Sequence, residues 1–219
     1  MSVVRRFLVA AVSSAAALAL SATSASAVSA GPWTVGNPNA DGSFSGSLKA
    51  GTAARILDVR TAQEMDCYGP ETRVEGSMPS GTHSDGEELA GITAFSWGTP
   101  DAPCHGPLGM TITAGQLGAG MEFSAESHAG GVTTGRLTGV AVAFAAETLF
   151  GRCTMTISGS LDHVTYDNST GELSITDGAG LVMSDVSEDG SCMGLLDNGH
   201  QVEYSATYVL DEPLTVTSP

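Results

Sequence analysis

Apolar residues recur at every second position along most of this chain, and a chain patterned this way buries one face of a strand rather than one side of a helix. Val202, Tyr204, Ala206, Tyr208 and Leu210 form one face of a segment whose other face carries Gln201, Glu203, Ser205 and Thr207. Met121, Phe123 and Ala125 alternate with Glu122, Ser124 and Glu126; Met155 and Ile157 do so with Thr154, Thr156 and Ser158, and Met110 and Ile112 with Thr111 and Thr113. In HVTYDNSTGELSIT, Val164 and Tyr166 face Leu173 and Ile175 across a Gly-bearing turn, the pattern of a hairpin. About a dozen such short antiparallel strands, separated by turn residues, predict an all-β sandwich or barrel. A helix is the alternative reading only over Arg55–Met65.

Four cysteines add a second regularity. Cys67 and Cys104 stand 37 positions apart, and Cys153 and Cys192 stand 39 apart. Gly76-Ser77-Met78 follows the first pair's opening cysteine and Gly159-Ser160-Leu161 the second's, while Cys104-His105-Gly106-Pro107-Leu108 matches Cys192-Met193-Gly194-Leu195. This reads as a degenerate tandem duplication with pseudo-repeats over residues 40–127 and 128–212; chance similarity in Gly/Ser-rich sequence is the alternative. Two halves that each close their own loop select Cys67–Cys104 and Cys153–Cys192 from the three connectivities that four cysteines allow.

The N-terminus predicts an oxidising destination for those thiols. Arg5 and Arg6 precede an uncharged apolar run, Phe7–Leu20, and small residues then lead to Ala25-Ser26-Ala27. That order is a cleavable secretory leader over residues 1–27, too short in its apolar part to span a bilayer. Residues 28–219 are then expected outside the cell, free or wall-associated, with no anchor and no membrane contact once the leader is cleaved: no cysteine near the cleavage site could carry a lipid, and the C-terminus is not hydrophobic. The formal charge of −16 becomes −18 when the leader takes away two arginines and no acid. Such a balance argues against nucleic acid and anionic membranes, which need basic surface to displace counterions.

Motifs for chemistry are sparse. Gly190-Ser191-Cys192-Met193-Gly194 has the outline of a nucleophile elbow, but that device needs a strand–turn–helix in an α/β sheet, and Cys192 already belongs to an even set. His83, Asp85, Glu87 and Glu88 gather an imidazole and three carboxylates in six residues, candidates for calcium or zinc in a spacing that fits no established loop. A solvated loop is the better reading of them, and no metal site is expected. The remaining histidines, 105, 128, 163 and 200, are scattered, and those beside Gly or Asp are expected in exposed turns. Trp97 reads as a core or edge residue, with a binding-surface aromatic as the alternative, and Asn168-Ser169-Thr170 fits a glycosylation sequon that overlaps the hairpin turn.

Several segments together resemble a group of small secreted actinobacterial proteins with no assigned function. They are Ala30-Gly31-Pro32-Trp33-Thr34-Val35, Asn37-Pro38-Asn39-Ala40-Asp41-Gly42, Cys104-His105-Gly106-Pro107-Leu108-Gly109, Asn168-Ser169-Thr170-Gly171, Cys192-Met193-Gly194-Leu195-Leu196 and the closing Thr-Val-Thr-Ser-Pro. The resemblance implies an exported β-rich domain with two disulfides and carries over no active site. The acidic stretch around His83–Glu88 is more heavily charged than the group's Gly/Ser-rich counterpart.

These features lead to the expectation of a non-catalytic extracellular module, binding or structural, that uses no cofactor. Its partner would be an extracellular protein or a cell-wall polymer, met through loops such as Pro79–Leu89 and Thr99–Pro107. Two rivals are an inhibitor of a secreted protease, presenting the loop ahead of Cys104, and a metal-assisted hydrolase built on His83 and Asp85.

Overall fold

The computed structural model describes residues 31–118 and 120–218; the expected leader lies outside the described residues. The fold is all-β, as the alternation predicts. The first strands are β1 (Trp33–Gly36), β2 (Ser43–Leu48), β3 (Ala54–Asp58), β4 (Gln63–Cys67), β5 (Arg73–Ser77) and β6 (Gly81–His83). Next come β7 (Ala90–Trp97), β8 (Cys104–His105), β9 (Thr111–Gln116) and β10 (Met121–Ala129). The last are β11 (Val132–Thr148), β12 (Gly151–Asp167), β13 (Glu172–Ser184), β14 (Gln201–Leu210) and β15 (Thr215–Thr217). Not all are short: β11 and β12 each run 17 residues. The segment with a helical alternative, Arg55–Met65, is the β3–β4 hairpin, because Ile56 and Met65 pair across it with their side chains in the core.

Twelve strands form one antiparallel sheet, which closes on itself twice. One circuit runs β10-β11-β12-β13-β14-β2-β5-β7 and returns to β10. The other runs β11-β12-β13-β14-β3-β4-β8-β9 and returns to β11. Two eight-stranded barrels therefore stand end to end and share β11–β14. The N-terminal half of β11 pairs with β10 in the first barrel, and Val142–Glu147 pairs with β9 in the second. Closure removes the exposed edges that would otherwise invite pairing with other chains.

Glycines mark the seam between the barrels. Gly139 on β11, Gly159 on β12 and Gly180 on β13 all have positive φ, at 70°, 145° and 108°. The pairing registers of these strands slip at the same level: between Leu137 and Val140, between Gly159 and Val164, and between Gly178 and Leu181. A Cβ on Gly159 would lie 2.1 Å from the Gly180 carbonyl oxygen, so only glycine lets the two backbones touch where the strands bend.

Both barrels are filled. The predicted inward faces of β9, β10, β12 and β14 are all buried, and Val164↔Ile175 and Tyr166↔Leu173 pair as the hairpin pattern requires. A void of about 40 Å3 lined by residues such as Leu161, Phe144, Tyr204 and Tyr208 is far below the ~300 Å3 at which small-molecule pockets begin. The interior is thus a packed core, not a ligand cavity. Trp97 belongs to it, fully buried and edge-on to Phe144 with ring centroids 5.4 Å apart.

A small sheet, β15-β1-β6, covers the outer end of the first barrel, burying Trp33, Val35, Leu214 and Val216. Two side chains of the β12–β13 hairpin hold it down. The Tyr166 hydroxyl accepts the Leu214 N–H at 2.7 Å and donates to the Leu214 carbonyl at 3.0 Å. The Asn168 amide donates to the Val216 carbonyl at 2.8 Å and accepts its N–H at 2.9 Å, as a neighbouring strand would. The sequon's asparagine is thereby committed to the fold. Asn168→Ala should leave both Val216 groups unpaired and cost about 1–3 kcal/mol. Amide exchange and limited proteolysis should report the loss as opening of residues 214–218 while β10–β14 stay protected; unchanged exchange there would show that Asn168 does not hold the strap.

The two disulfides have the expected partners, Cys67–Cys104 and Cys153–Cys192. Residues 40–127 and 128–212 are nonetheless interleaved, since β14 pairs with β2 and β3, and each barrel draws on both segments. Cys67, Cys104 and Cys153 all lie on strands of the second barrel, so both covalent staples brace that end.

Candidate functional site

The outward faces of β9, β11 and β12 in the second barrel carry unusually short side chains. Ala145 sits between Thr113 and Thr154, and Ala143 between Gly115 and Thr156, so two ranks of small residues cross three strands. With the walls beside them they form an open groove of about 530 Å3. One wall is Gly98-Thr99-Pro100, and the other carries Arg152 and Asp185.

Each wall leans on a disulfide. The loop after β7 is closed by reciprocal backbone hydrogen bonds between Thr99 and Ala102, at 3.0 and 3.1 Å. It is pressed against the Cys67–Cys104 bridge so closely that a Cβ on Gly98 would stand 2.7 Å from the Cys104 Sγ. On the far side, Ser187 donates its N–H to the Thr154 carbonyl at 3.0 Å, and its Oγ accepts the Thr154 N–H at 2.8 Å. The Asn198 side chain accepts the Val186 N–H at 3.1 Å, and Cys192 of the same loop is tied to Cys153. Thr154 and Ser187 also share their hydroxyls at 2.9 Å. The groove offers threonine hydroxyls and one charge of each sign on a braced frame, which suits binding of an extended segment.

Beyond the groove's floor strands lies the β11–β12 turn, with Leu149 90% and Phe150 71% exposed. The Thr148 hydroxyl fixes it, accepting the Phe150 N–H at 3.1 Å and lying 2.8 and 3.0 Å from the carbonyls of Gly151 and Ser191.

The acidic candidates lie at the first barrel, on β6 of its covering sheet and in the loop from β6 to β7, and do not converge. The His83 Nε2 is 3.2 Å from the Pro79 carbonyl oxygen, and the Asp85 carboxylate accepts the Glu87 N–H at 3.2 Å. Glu87 accepts the Ser124 hydroxyl at 3.1 Å and stands 3.6 Å from Arg136, whereas the Glu88 N–H donates to the Ser124 Oγ at 3.1 Å. The described residues hold no group of three or more His, Cys, Asp or Glu side chains placed to bind a metal. The stretch acts as a latch: the Gly86 carbonyl accepts the Ala125 N–H at 2.8 Å and Leu89 is fully buried.

One ionisable pair escaped the sequence reading. His200, expected in an exposed turn beside Gly199, is buried, and its Nδ1 lies 2.6 Å from the Oδ2 of the fully buried Asp58. The other Asp58 oxygen accepts the N–H groups of Arg60 at 2.9 Å and Thr61 at 3.2 Å. The His200 Nε2 is 3.5 Å from the Arg60 Nη1, so both contacts select a ring that carries its proton on Nδ1. In a catalytic triad the Nε2 nitrogen would face a nucleophile's hydroxyl; here Nε2 faces a guanidinium, and the pair ties the β3–β4 turn to the start of β14. The two residues are 142 positions apart, and nothing local in the sequence links them.

The chain matches no family model, no curated protein and no solved structure. Two disulfides are typical of proteins outside the cell, and among the described residues no helix is long and apolar enough to cross a membrane.

Proposed function

We propose that this chain is an exported, non-catalytic binding module whose contact surface is the groove over β9, β11 and β12. The observation that carries the reading is the bracing of both groove walls by disulfides. Rigid walls spare a site the ordering cost of binding, the usual reason to build recognition on a stiff scaffold. The leader-like N-terminus, the acidic balance and the resemblance to secreted actinobacterial proteins support an extracellular protein or wall polymer as partner.

The test is a pull-down with oxidised protein, residues 28–219, against the producer's culture fluid and wall fraction. It is run beside Ala145→Trp, which fills the groove floor from its solvent side. The native protein should retain a partner that the variant loses, with the melting temperature unchanged. Equal retention by both would remove the groove from the reading. The loop ahead of Cys104 supports a second reading, a protease inhibitor, because the Thr99–Ala102 bonds and the disulfide hold it ready-made. Titration against secreted proteases decides that case; no inhibition at micromolar protein would end it.

A further inference from the structure

Among the large apolar side chains of the described residues, the three most exposed are Leu149 at 90%, Leu108 at 76% and Phe150 at 71%. They share one place in the fold. Leu149 and Phe150 form the tip of the β11–β12 hairpin, and Leu108 lies in the turn between β8 and β9. β9 pairs with β11 through Thr111↔Glu147, and β8 with β9 through His105↔Thr111, so both turns leave the sheet beyond the same rank. Folding does not account for them. Leu108 is held at φ 55°, a left-handed conformation costly for leucine, in a turn closed by hydrogen bonds between Gly106 and Met110 and between Met110 and Pro107. Strain spent to keep a leucine in water signals a role in binding something apolar.

We propose that this double tip inserts into the interfacial region of a zwitterionic lipid surface, which makes the protein a peripheral binder of neutral membranes. Two features favour lipid over a protein partner. The apolar surface is small and projects from turns, too little for a stable protein–protein interface of about 800 Å2 per partner, whereas a shallow tip suits an interface that closes around it. The nearest charged pair behind it is also balanced: two residues back from Leu149 and Phe150, Glu147 and Arg152 face each other across β11 and β12 with 3.8 Å between their charged groups. That rank is about 7 Å behind the tip, at the depth of headgroups once the tip is buried, and it offers one charge of each sign to a phosphocholine. The acidic balance that excludes anionic membranes leaves this neutral class open. The tip shares Arg152 with the groove wall, but its three apolar side chains lie outside the groove, which could bind its partner with those side chains removed.

The experiment is flotation of oxidised protein, residues 28–219, with phosphatidylcholine vesicles and with vesicles enriched in phosphatidylglycerol. Native protein should float with the first and less with the second. The L149S/F150S variant should lose about tenfold of the bound fraction, and L108S should lose binding with it, at unchanged melting temperature. Phe150→Trp should show blue-shifted emission and quenching by brominated lipid tails. No flotation with phosphatidylcholine, or equal flotation of the serine variants, overturns the proposal. So does sedimentation showing a dimer that the same serines dissolve, since a second copy would then cover the tip.

Discussion

Asp58→Ala is expected to destabilise the fold by about 3–5 kcal/mol, read as a lower urea midpoint at unchanged slope. The expectation rests on what the substitution strands. His200 would keep its buried ring with no acceptor for the Nδ1 proton, and the N–H groups of Arg60 and Thr61 would lose the oxygen that closes the β3–β4 turn. Removing one member of a buried pair leaves the other uncompensated, which is why the loss exceeds the net worth of the pair itself. His200→Ala should fall in the same range, and the double variant should cost much less than the sum, since the two act as one contact. Additive losses would show that the pair is not coupled.

The same carboxylate sets a pH dependence. Burial alone would raise the Asp58 pKa, but the hydrogen bond from His200 and those from Thr61 and Arg60 outweigh it, so the group titrates below the ordinary carboxyl value. A carboxyl whose pKa is lower folded than unfolded binds fewer protons in the native state. Its contribution is therefore complete above the unfolded value, near 4, and is lost as the pH falls through the folded one. Asp58→Asn should flatten the acid limb of the stability profile below about pH 4 and leave the profile near neutrality parallel to that of the native protein. An acid limb of unchanged steepness would assign it to other carboxylates.

Breaking the disulfides is the second large effect. Each closes a loop of nearly 40 residues, and the chain-entropy treatment gives ~4 kcal/mol for each. That is a large fraction of the 5–15 kcal/mol that ordinarily separates folded from unfolded chains. The losses should also be unevenly placed. Cys153→Ala/Cys192→Ala frees the loop after β13, and Cys67→Ala/Cys104→Ala frees β8 and the loop after β7, all at the second barrel or the groove walls. Amide exchange should rise first in β8, β9 and residues 185–199, while β2, β5 and β10 of the first barrel keep their protection. An even rise through both barrels would mean that shared β11–β14 make the molecule one unfolding unit and that no end depends on its staple.

Much of the fold was legible in the chain because period-2 patterning acts locally. A strand that buries Val202, Tyr204, Ala206, Tyr208 and Leu210 can do so in only one register, and the hairpin joining Val164–Tyr166 to Leu173–Ile175 is specified by its own turn. Local patterning failed at Arg55–Met65, where two short strands and a turn mimic a helix until Ile56 and Met65 are seen to pair. It also failed at His200, whose glycine neighbour signals a turn but whose carboxylate partner comes from a strand at the other end of the chain.

The candidate site was legible only in fragments. The loop ahead of Cys104 stands out by its Pro- and Gly-rich composition, yet its place as a groove wall depends on β9 and β11 becoming neighbours. Thr113, Ala145 and Thr154 are unremarkable along the chain and become a floor only in register across three strands. By itself the sequence determined an all-β chain with two disulfides, because strand class follows from local pattern and an even cysteine set from residue count. Tertiary structure alone decided that the sheet closes into two barrels, that His83–Glu88 disperses into a latch, and that apolar tips and a groove meet at one end. Closure, convergence and exposure depend on contacts between residues far apart in the chain, and no local pattern encodes them.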